Sequence, residues 1–241
     1  WVIMYGASFL PFFYFKSGII DPWFNLFIFL GIYFFSLYAD PGQVEKRMSN
    51  SALSALFIGL GILTKGPVAL LIFLLTFGEY LIYRRFRFEF RWRDVLVYVA
   101  VLSVVGGAWF ILLIANGNYS VIQDFIAYQI RLFQTQDAGH GGFFLYFFVI
   151  LFLGVFPAAI FAIPAFRKSI VKGEKNRELA EMFRWMMISF WVVLILFTIV
   201  KTKIVHYSSF CYFPLTFLAA YVLDKMFCGE IRFKGYMKVL L

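Results

Sequence analysis

The chain has 241 residues, of which 63% are apolar, 22% aromatic and only 15% charged. Soluble domains carry about 45–50% apolar and about 25% charged residues, so this sequence has too little polar surface to cover a water-soluble core. The formal net charge of +9 would suit a nucleic-acid binder, but the distribution of the basic residues explains it in another way. Composition therefore predicts an integral membrane protein with no nucleic-acid partner.

Apolar stretches alternate with polar breaks along the whole sequence. A helix needs about 20 apolar residues to cross about 30 Å of hydrocarbon, and continuous apolar runs favour helices over barrel strands. We predict an all-α integral membrane fold of about eight transmembrane helices, in a single polytopic domain over residues 1–241. The predicted spans are 1–15, 22–38, 48–63, 67–83, 94–115, 143–166, 184–200 and 207–223. The third is rich in small residues, so we expect it to be buried among its neighbours.

Basic residues mark every second break. The breaks at 39–50, 84–93, 167–184 and 224–241 hold seventeen of the 22 Lys and Arg residues, and the other four breaks hold five. Such an excess marks cytoplasmic loops, so the net charge is mainly an orientation signal. The outward breaks nevertheless hold the residues best suited to chemistry, which are Asp21, Lys65, Arg131, His140, Lys201, Lys203 and His206.

The first of these, Asp21, directly precedes Pro22 at the start of the second span. Proline suits the first turn of a helix and aspartate suits its N-cap, so one interpretation is purely structural. The other interpretation is a carboxylate at the mouth of a cavity.

The second outward break is a very tight turn, Leu-Thr-Lys-Gly-Pro, centred on Lys65. Gly66 and Pro67 explain the turn without any chemistry. They do not explain a lysine in an outward loop, which could either extend to the membrane surface or meet a lipid phosphate as a point charge.

The break at 116–142 is the long outward loop. Its apolar positions, including Val121, Phe125 and Ile130, recur at helical spacing after Ser120. The pattern predicts an amphipathic helix on the membrane surface. His140 follows between glycines, and a glycine-flanked ionisable residue in a long loop is typical of a substrate lid.

The last outward break, 201–207, combines Lys201, Lys203 and His206 with Tyr207. An interfacial belt anchored by the tyrosine is one interpretation. A binding site for a lipid-linked phosphate or diphosphate is the sharper one.

These motifs together resemble a known family. The Leu-Thr-Lys-Gly-Pro turn looks like the "LTKGP" signature of polytopic glycosyltransferases with the C-type (GT-C) fold, which include aminoarabinose-to-lipid-A transferases and protein mannosyltransferases. The segment from Lys201 to Tyr207, with Pro214 after it, is similar to the family's "KTKLPHYLLPLYP". Residues 154–157 stand in place of its "GFFPW". The resemblance covers essentially the whole chain, with the motifs in the correct order.

The resemblance implies transfer of a sugar from a polyprenyl-phosphate donor to a lipid or protein acceptor on the outer face of the membrane. The lack of long eukaryotic-type loops favours a bacterial inner membrane, whose outer face is periplasmic or extracellular. The resemblance also implies that the donor phosphate is bound by Lys65, Arg131, Lys201 and Lys203. It further implies that Gln129, His206 and Tyr207 line the donor cavity, and that His140 is the ligand if a divalent metal is present. No other cofactor is expected.

The family's catalytic base is an Asp in the first outward loop, and we expect it to lie before Trp1, which leaves Asp21 as a secondary carboxylate. Two other functions stay open on the sequence alone. A transporter or flippase for a lipid-linked sugar would also place cations around a lipid headgroup. A non-catalytic, degenerate copy would keep the spans without the chemistry.

Overall fold

The computed structural model describes residues 1–134, 142–167 and 169–241, and every regular element in those ranges is helical. The α-helices in chain order are α1 Val2–Gly6, α2 Phe9–Lys16, α3 Asp21–Ala39, α4 Arg47–Lys65, α5 Val68–Tyr83, α6 Trp92–Ala115, α7 Tyr119–Gln134, α8 Tyr146–Gly154, α9 Ala158–Ala162, α10 Ser169–Lys172, α11 Arg177–Ile199, α12 Tyr212–Phe227 and α13 Gly235–Leu240. Short 3₁₀ segments lie at Pro41–Lys46, Ile163–Phe166 and Val205–Cys211.

Within the described ranges, four helical segments are long and apolar enough to cross a membrane. They are α3, α6, α11 and the segment Val205–Phe227, which contains α12. The helices from Tyr146 to Phe166 would add a fifth if their bent pair forms one span, and α5 is a shorter apolar helix. The prediction of an all-helical fold with membrane-length apolar helices is confirmed.

Two predicted spans are broken in the structure. The stretch 1–15 forms α1 and α2, which are separated at Ser8 by an extended backbone conformation. Pro11 lies in the first turn of α2, where its ring would clash with the carbonyl of Ala7 in a continuous helix. The stretch 143–166 bends by 109° between α8 and α9, and Pro157 at that bend cannot donate the hydrogen bond of an uninterrupted helix.

Helix α11 begins seven residues before the predicted span start at 184. The side chain of Asn176 caps it by accepting the backbone N–H of Leu179 at 3.1 Å. Its first turns are polar and contain the Glu181–Arg184 ion pair. Hydropathy therefore misses them, although they are helical.

By packing, the chain divides into two compact units. The first comprises Trp1–Pro22, Phe143–Ile199 and Ile204–Leu241, and its centre is α12, whose residues from Tyr212 to Ala219 are all buried. Helix α9 packs against α12, and its small residues Ala158, Ala159 and Ala162 are all buried. The indole N–H of Trp1 donates to the Thr216 hydroxyl at 3.0 Å.

The second unit comprises Trp23–Gly142 and Val200–Lys203, and α4 packs against α6 in it. A Cβ on Gly59 would lie 2.9 Å from Cβ of Val105, and one on Gly106 would lie 2.9 Å from Cδ1 of Ile62. The Ser54 hydroxyl donates to the Gly31 carbonyl of α3 at 2.8 Å. The expectation that the third predicted span is buried among its neighbours is confirmed.

Candidate lipid-phosphate site

The turn between α4 and α5 in the second unit has a defined geometry. Helix α4 ends at Lys65, and the N–H of Gly66 donates to the carbonyl of Ile62 at 2.8 Å. Gly66 has φ 86° and ψ −167°, a backbone region that is essentially restricted to glycine. Pro67 directly precedes α5, and its φ of −68° is compatible with the start of a helix. The chain therefore reverses within two residues and holds Lys65 at the helix end.

Helix α7 approaches this turn through Phe125. A Cβ on Gly66 would lie only 2.7 Å from Cζ of Phe125, so the ring occupies the space that any side chain would need. The ring also packs edge-on against Trp109 and Phe110 of α6, with centroid distances of 5.7 and 6.0 Å. Three elements therefore meet at a glycine that has no room for a side chain.

A cavity of about 390 Å³ lies beside this contact, within one unit of the molecule. This volume falls in the range of about 300–1,000 Å³ that is typical of small-molecule sites. The lining residues are Ile62, Leu63, Thr64, Lys65, Gly66, Trp109, Phe110, Phe125 and Gln129. Its wall is thus aromatic and aliphatic, with a few polar groups that include one cation.

Two of the predicted site residues, Lys65 and Gln129, share this cavity. Lys65 is half-buried, and its Nζ lies 5.6 Å from the centre of the Phe24 ring. Gln129 lies four residues after Phe125 on α7, so both side chains point to the same face of that helix. An ammonium group and an amide beside an aromatic wall can bind an anionic head and an apolar tail together.

Arg131 belongs to the same helix but does not line this cavity. It is exposed, and its guanidinium carbon lies 5.2 Å from the centre of the Tyr128 ring. Two residues after Gln129 on a helix, it points to a different face. A phosphate role for Arg131 therefore stays a prediction.

The segment Val200–Lys203 clusters with the second unit. Lys201 is exposed, whereas Lys203 is only 6% exposed. Burial lowers the pKa of the Lys203 amine below its ordinary value, because the charged form loses water. A buried ammonium in this position would gain from a bound anion.

Asp21, His206 and Tyr207 belong to the first unit. Asp21 is buried as the first residue of α3. His206 and Tyr207 are half-buried in the 3₁₀ segment Val205–Cys211, with ring centres 5.4 Å apart. Tyr207 also contacts Phe197 at 5.4 Å. Their proposed roles in a donor cavity stay predictions.

The predicted metal ligand, His140, lies outside the described residues. Among the residues that the structure does describe, no group of three or more His, Cys, Asp or Glu side chains is placed to hold a metal ion.

The sequence reasoning missed Trp109 and Phe110, which supply the α6 side of the cavity. One signal could have indicated the tryptophan. Trp109 lies near the outward end of the predicted span 94–115, and tryptophan is enriched at the membrane interface.

No family model matches the chain. Curated proteins do match it over nearly its whole length. It is 26% identical over 233 residues to the undecaprenyl phosphate-alpha-4-amino-4-deoxy-L-arabinose arabinosyl transferase of Aeromonas hydrophila, a match that covers 96% of this chain and 40% of that protein. The enzyme of the same name from Edwardsiella ictaluri is 26% identical over 249 residues, covering 100% and 43%. The chain thus spans about two fifths of the length of these relatives.

Among solved structures, the chain is similar to ArnT from Cupriavidus metallidurans bound to undecaprenyl phosphate. The TM-score is 0.72 at 20% identity, and the match covers 86% of this chain and 37% of the other. At that identity the likeness establishes the fold. Sequence and fold therefore confirm the resemblance drawn from the motifs: over nearly its whole length the chain is similar to these arabinosyl transferases, and its fold is like that of ArnT.

Proposed function

We propose that the protein transfers a sugar from a polyprenyl-phosphate donor to a lipid or protein acceptor. The relatives' names specify an undecaprenyl phosphate-linked aminoarabinose, so that donor is the first to test, with a lipid A-like acceptor. The proposed location is the non-cytoplasmic face of a bacterial inner membrane, because the outward breaks carry few cations apart from those of the site.

The observation that carries this proposal is the composition of the cavity beside the 64–67 turn. Lys65 supplies a positive charge and Gln129 a polar group, while Trp109, Phe110 and Phe125 supply an apolar wall. A polyprenyl phosphate has the same two parts, an anionic head and a hydrocarbon tail. The cavity therefore matches the donor's chemistry around its phosphate.

The chemistry follows from charge. An acceptor oxygen attacks the anomeric carbon, the carbon–oxygen bond to the polyprenyl phosphate breaks, and the electron pair leaves with the phosphate. Negative charge then grows on the phosphate, so nearby cations lower the energy of the transition state more than that of the bound donor. We assign this role to Lys65 and Lys203, with Lys201 and Arg131 as further candidates, and we assign no base.

The membrane arrangement is part of the proposal. We infer about eight transmembrane helices, with the 64–67 turn and α7 at the outward surface. Helix α7 supports this placement because Val121, Ile126 and Ile130 are exposed on it. Exposed apolar residues on an amphipathic helix are typical of a helix that lies in the membrane interface.

The test is sugar transfer in proteoliposomes that contain a labelled polyprenyl-phosphate sugar and a lipid A-like acceptor. Lys203→Ala is expected to lower the transfer rate by about 10²–10³-fold, the size of effect seen when one charge-stabilising group is removed. Lys16→Ala is the control, since Lys16 is an exposed lysine in another outward break.

Thermal unfolding of each variant shows whether Lys203→Ala is folded. Undiminished transfer by a folded Lys203→Ala variant would contradict its assignment to the phosphate. Failure of the unaltered protein to transfer any sugar from such donors would contradict the proposed function as a whole.

A further inference from the structure

A second cavity, of about 160 Å³, lies in the second unit at the end of the helices opposite to the 64–67 turn. It lies among the last turns of α3, the first turns of α4 and α6, and the middle of α5. Most of its lining is aromatic, from Phe35, Tyr38, Phe73, Phe77, Phe90 and Tyr98. Its accessible lining is almost entirely apolar. This cavity therefore suits an apolar group such as the end of a hydrocarbon chain.

The segment that leads from α5 to α6 borders this cavity. Residues 84–93 read Arg-Arg-Phe-Arg-Phe-Glu-Phe-Arg-Trp-Arg, so basic and aromatic residues nearly alternate, with five arginines against one acid. Residues 87–91 form no helix. Phe88 and Phe90 are 4.8 Å apart, and both contact Phe77. The arginines at 85, 87 and 91 are exposed.

Packing holds this segment in place. Arg47 at the start of α4 donates from Nη2 to the Glu89 carbonyl at 2.8 Å, and its guanidinium lies 5.0 Å from the Tyr38 ring centre. Arg47 is itself buried. The segment is thus fixed to the cavity wall, and its arginines at 85, 87 and 91 are exposed beside it.

The same segment carries exposed aromatic residues. Phe86 is 72% exposed and Trp92 is 74% exposed. Aromatic residues of this kind are enriched at the level of lipid headgroups. Exposed arginines beside them would meet the phosphate groups of the lipids at that level.

We propose that this end of the second unit binds an anionic phospholipid, with the headgroup on Arg85, Arg87 and Arg91 and one chain end in the aromatic cavity. A basic segment next to a membrane span attracts anionic lipids, and the cavity adds a place for the chain. The proposal requires that the chain is inserted in a membrane, but it does not require the proposed sugar transfer. It uses none of the residues assigned to sugar transfer, so either proposal can fail without the other.

The test is native mass spectrometry of the purified protein in detergent with equal amounts of phosphatidylglycerol and phosphatidylethanolamine of the same chain length. The unaltered protein is expected to retain the anionic lipid preferentially. The variant R85Q/R87Q/R91Q is expected to retain at least about tenfold less of the anionic lipid than the unaltered protein. The control K172Q/K175Q/R232Q removes the same charge from exposed positions of the first unit and is expected to behave like the unaltered protein.

A second pair of variants tests the cavity. Val95→Phe would fill it, because Val95 lines the cavity, whereas Leu96→Phe changes its exposed neighbour. Retention of phosphatidylglycerol is expected to fall with Val95→Phe only. The proposal would be overturned by equal loss in both charge variants, by equal retention of the two lipids, or by unchanged retention with Val95→Phe. The three arginines are exposed, so their substitution tests the site even if Val95→Phe does not fold.

Discussion

Gly66 has two independent reasons to lack a side chain. Its backbone has φ 86° and ψ −167°, and the ring of Phe125 occupies the position next to its Cα. The glycine therefore both ends α4 and lets α7 close onto the turn. The position of Lys65 beside the cavity depends on this closure.

Gly66→Ala is expected to lower the free energy of unfolding by about 1–3 kcal/mol, the cost of a non-glycine residue in this backbone region. In a Phe125→Ala background the clash with the Phe125 ring is removed, so Gly66→Ala should lower the free energy of unfolding by less. Thermal unfolding of the four proteins measures the difference. Equal costs in both backgrounds would show that the Phe125 ring does not restrict the turn.

Lys65→Gln tests the cation of the cavity directly. The residue is half-buried at a helix end, so we expect little change in unfolding temperature. Transfer should fall by about 10²–10³-fold, because the leaving phosphate loses a compensating charge. Lys16→Gln is the matched control. A transfer rate equal to that of the control would remove Lys65 from the proposed mechanism.

At the scale of single residues, the sequence singled out Lys65 because the tight turn explains Gly66 and Pro67 but not a cation in an outward loop, and its binding of phosphate stays a prediction. The family resemblance suggested Gln129 as a cavity residue, and Gln129 does line the cavity beside Lys65. Trp109 and Phe110 were not predicted, since their role depends on how α6 meets α7. Periodicity along one helix does not encode which neighbour a side chain will contact.

Among the helices, α4 and α6 approach most closely where Gly59 faces Val105 and Gly106. The small residues of α4 predict this packing, because they let neighbouring helices approach closely in lipid. The breaks at Ser8 and between α8 and α9 were not predicted, because hydropathy averages over a proline and reports only apolar length. Helix α11 was predicted too short for the opposite reason, since its first turns are polar.

Gly59→Ala should destabilise the protein by about 1–3 kcal/mol, as expected for an added group in a packed interface. Gly78→Ala is the control, because a Cβ at Gly78 of α5 would have no atom within 4 Å. Unfolding by denaturant in detergent measures both. A Gly59→Ala variant as stable as the control would show that α4 and α6 do not pack as closely as described.

The loop between α10 and α11 is tied to α12 by an ion pair. Glu174 accepts the backbone N–H of Asn176 at 2.9 Å and lies 3.0 Å from Nζ of Lys225. These contacts, the backbone hydrogen bond first, lower the pKa of Glu174 to about 2 from an ordinary value of 4.5. Because the pKa of Glu174 is lower in the folded state, the stabilisation that Glu174 contributes is fully present above about pH 4.5. It is lost as the pH falls towards 2.

Lys225→Ala should raise the pKa of Glu174 towards its ordinary value. Stability should then depend less on pH between about 4.5 and 2. The control Glu230→Gln removes only the other acidic partner of Lys225. Unfolding temperatures measured across this pH range test the prediction. Identical slopes for Lys225→Ala and the unaltered protein would show that the ion pair does not set this pKa.

For the whole molecule, composition predicted an all-helical membrane protein, and the described residues form membrane-length apolar helices in an ArnT-like fold. Composition is informative at this scale because every span in hydrocarbon must satisfy its own backbone hydrogen bonds, as a helix does. The sequence could not predict how the chain divides into two packed units, since that division depends on contacts between distant segments. The chain spans about two fifths of its relatives, so the reaction of the whole protein stays a proposal.

The most direct test of the central claim is to map where a polyprenyl phosphate binds. A polyprenyl phosphate with a photoreactive group in its first prenyl units is irradiated with the protein in liposomes, and the labelled peptides are identified by mass spectrometry. We predict labels on the end of α4 and on the segment from Trp109 to Gln129, with loss of labelling in Lys65→Gln. Labels confined to other segments, or labelling that Lys65→Gln leaves unchanged, would contradict the assignment of this cavity to the donor.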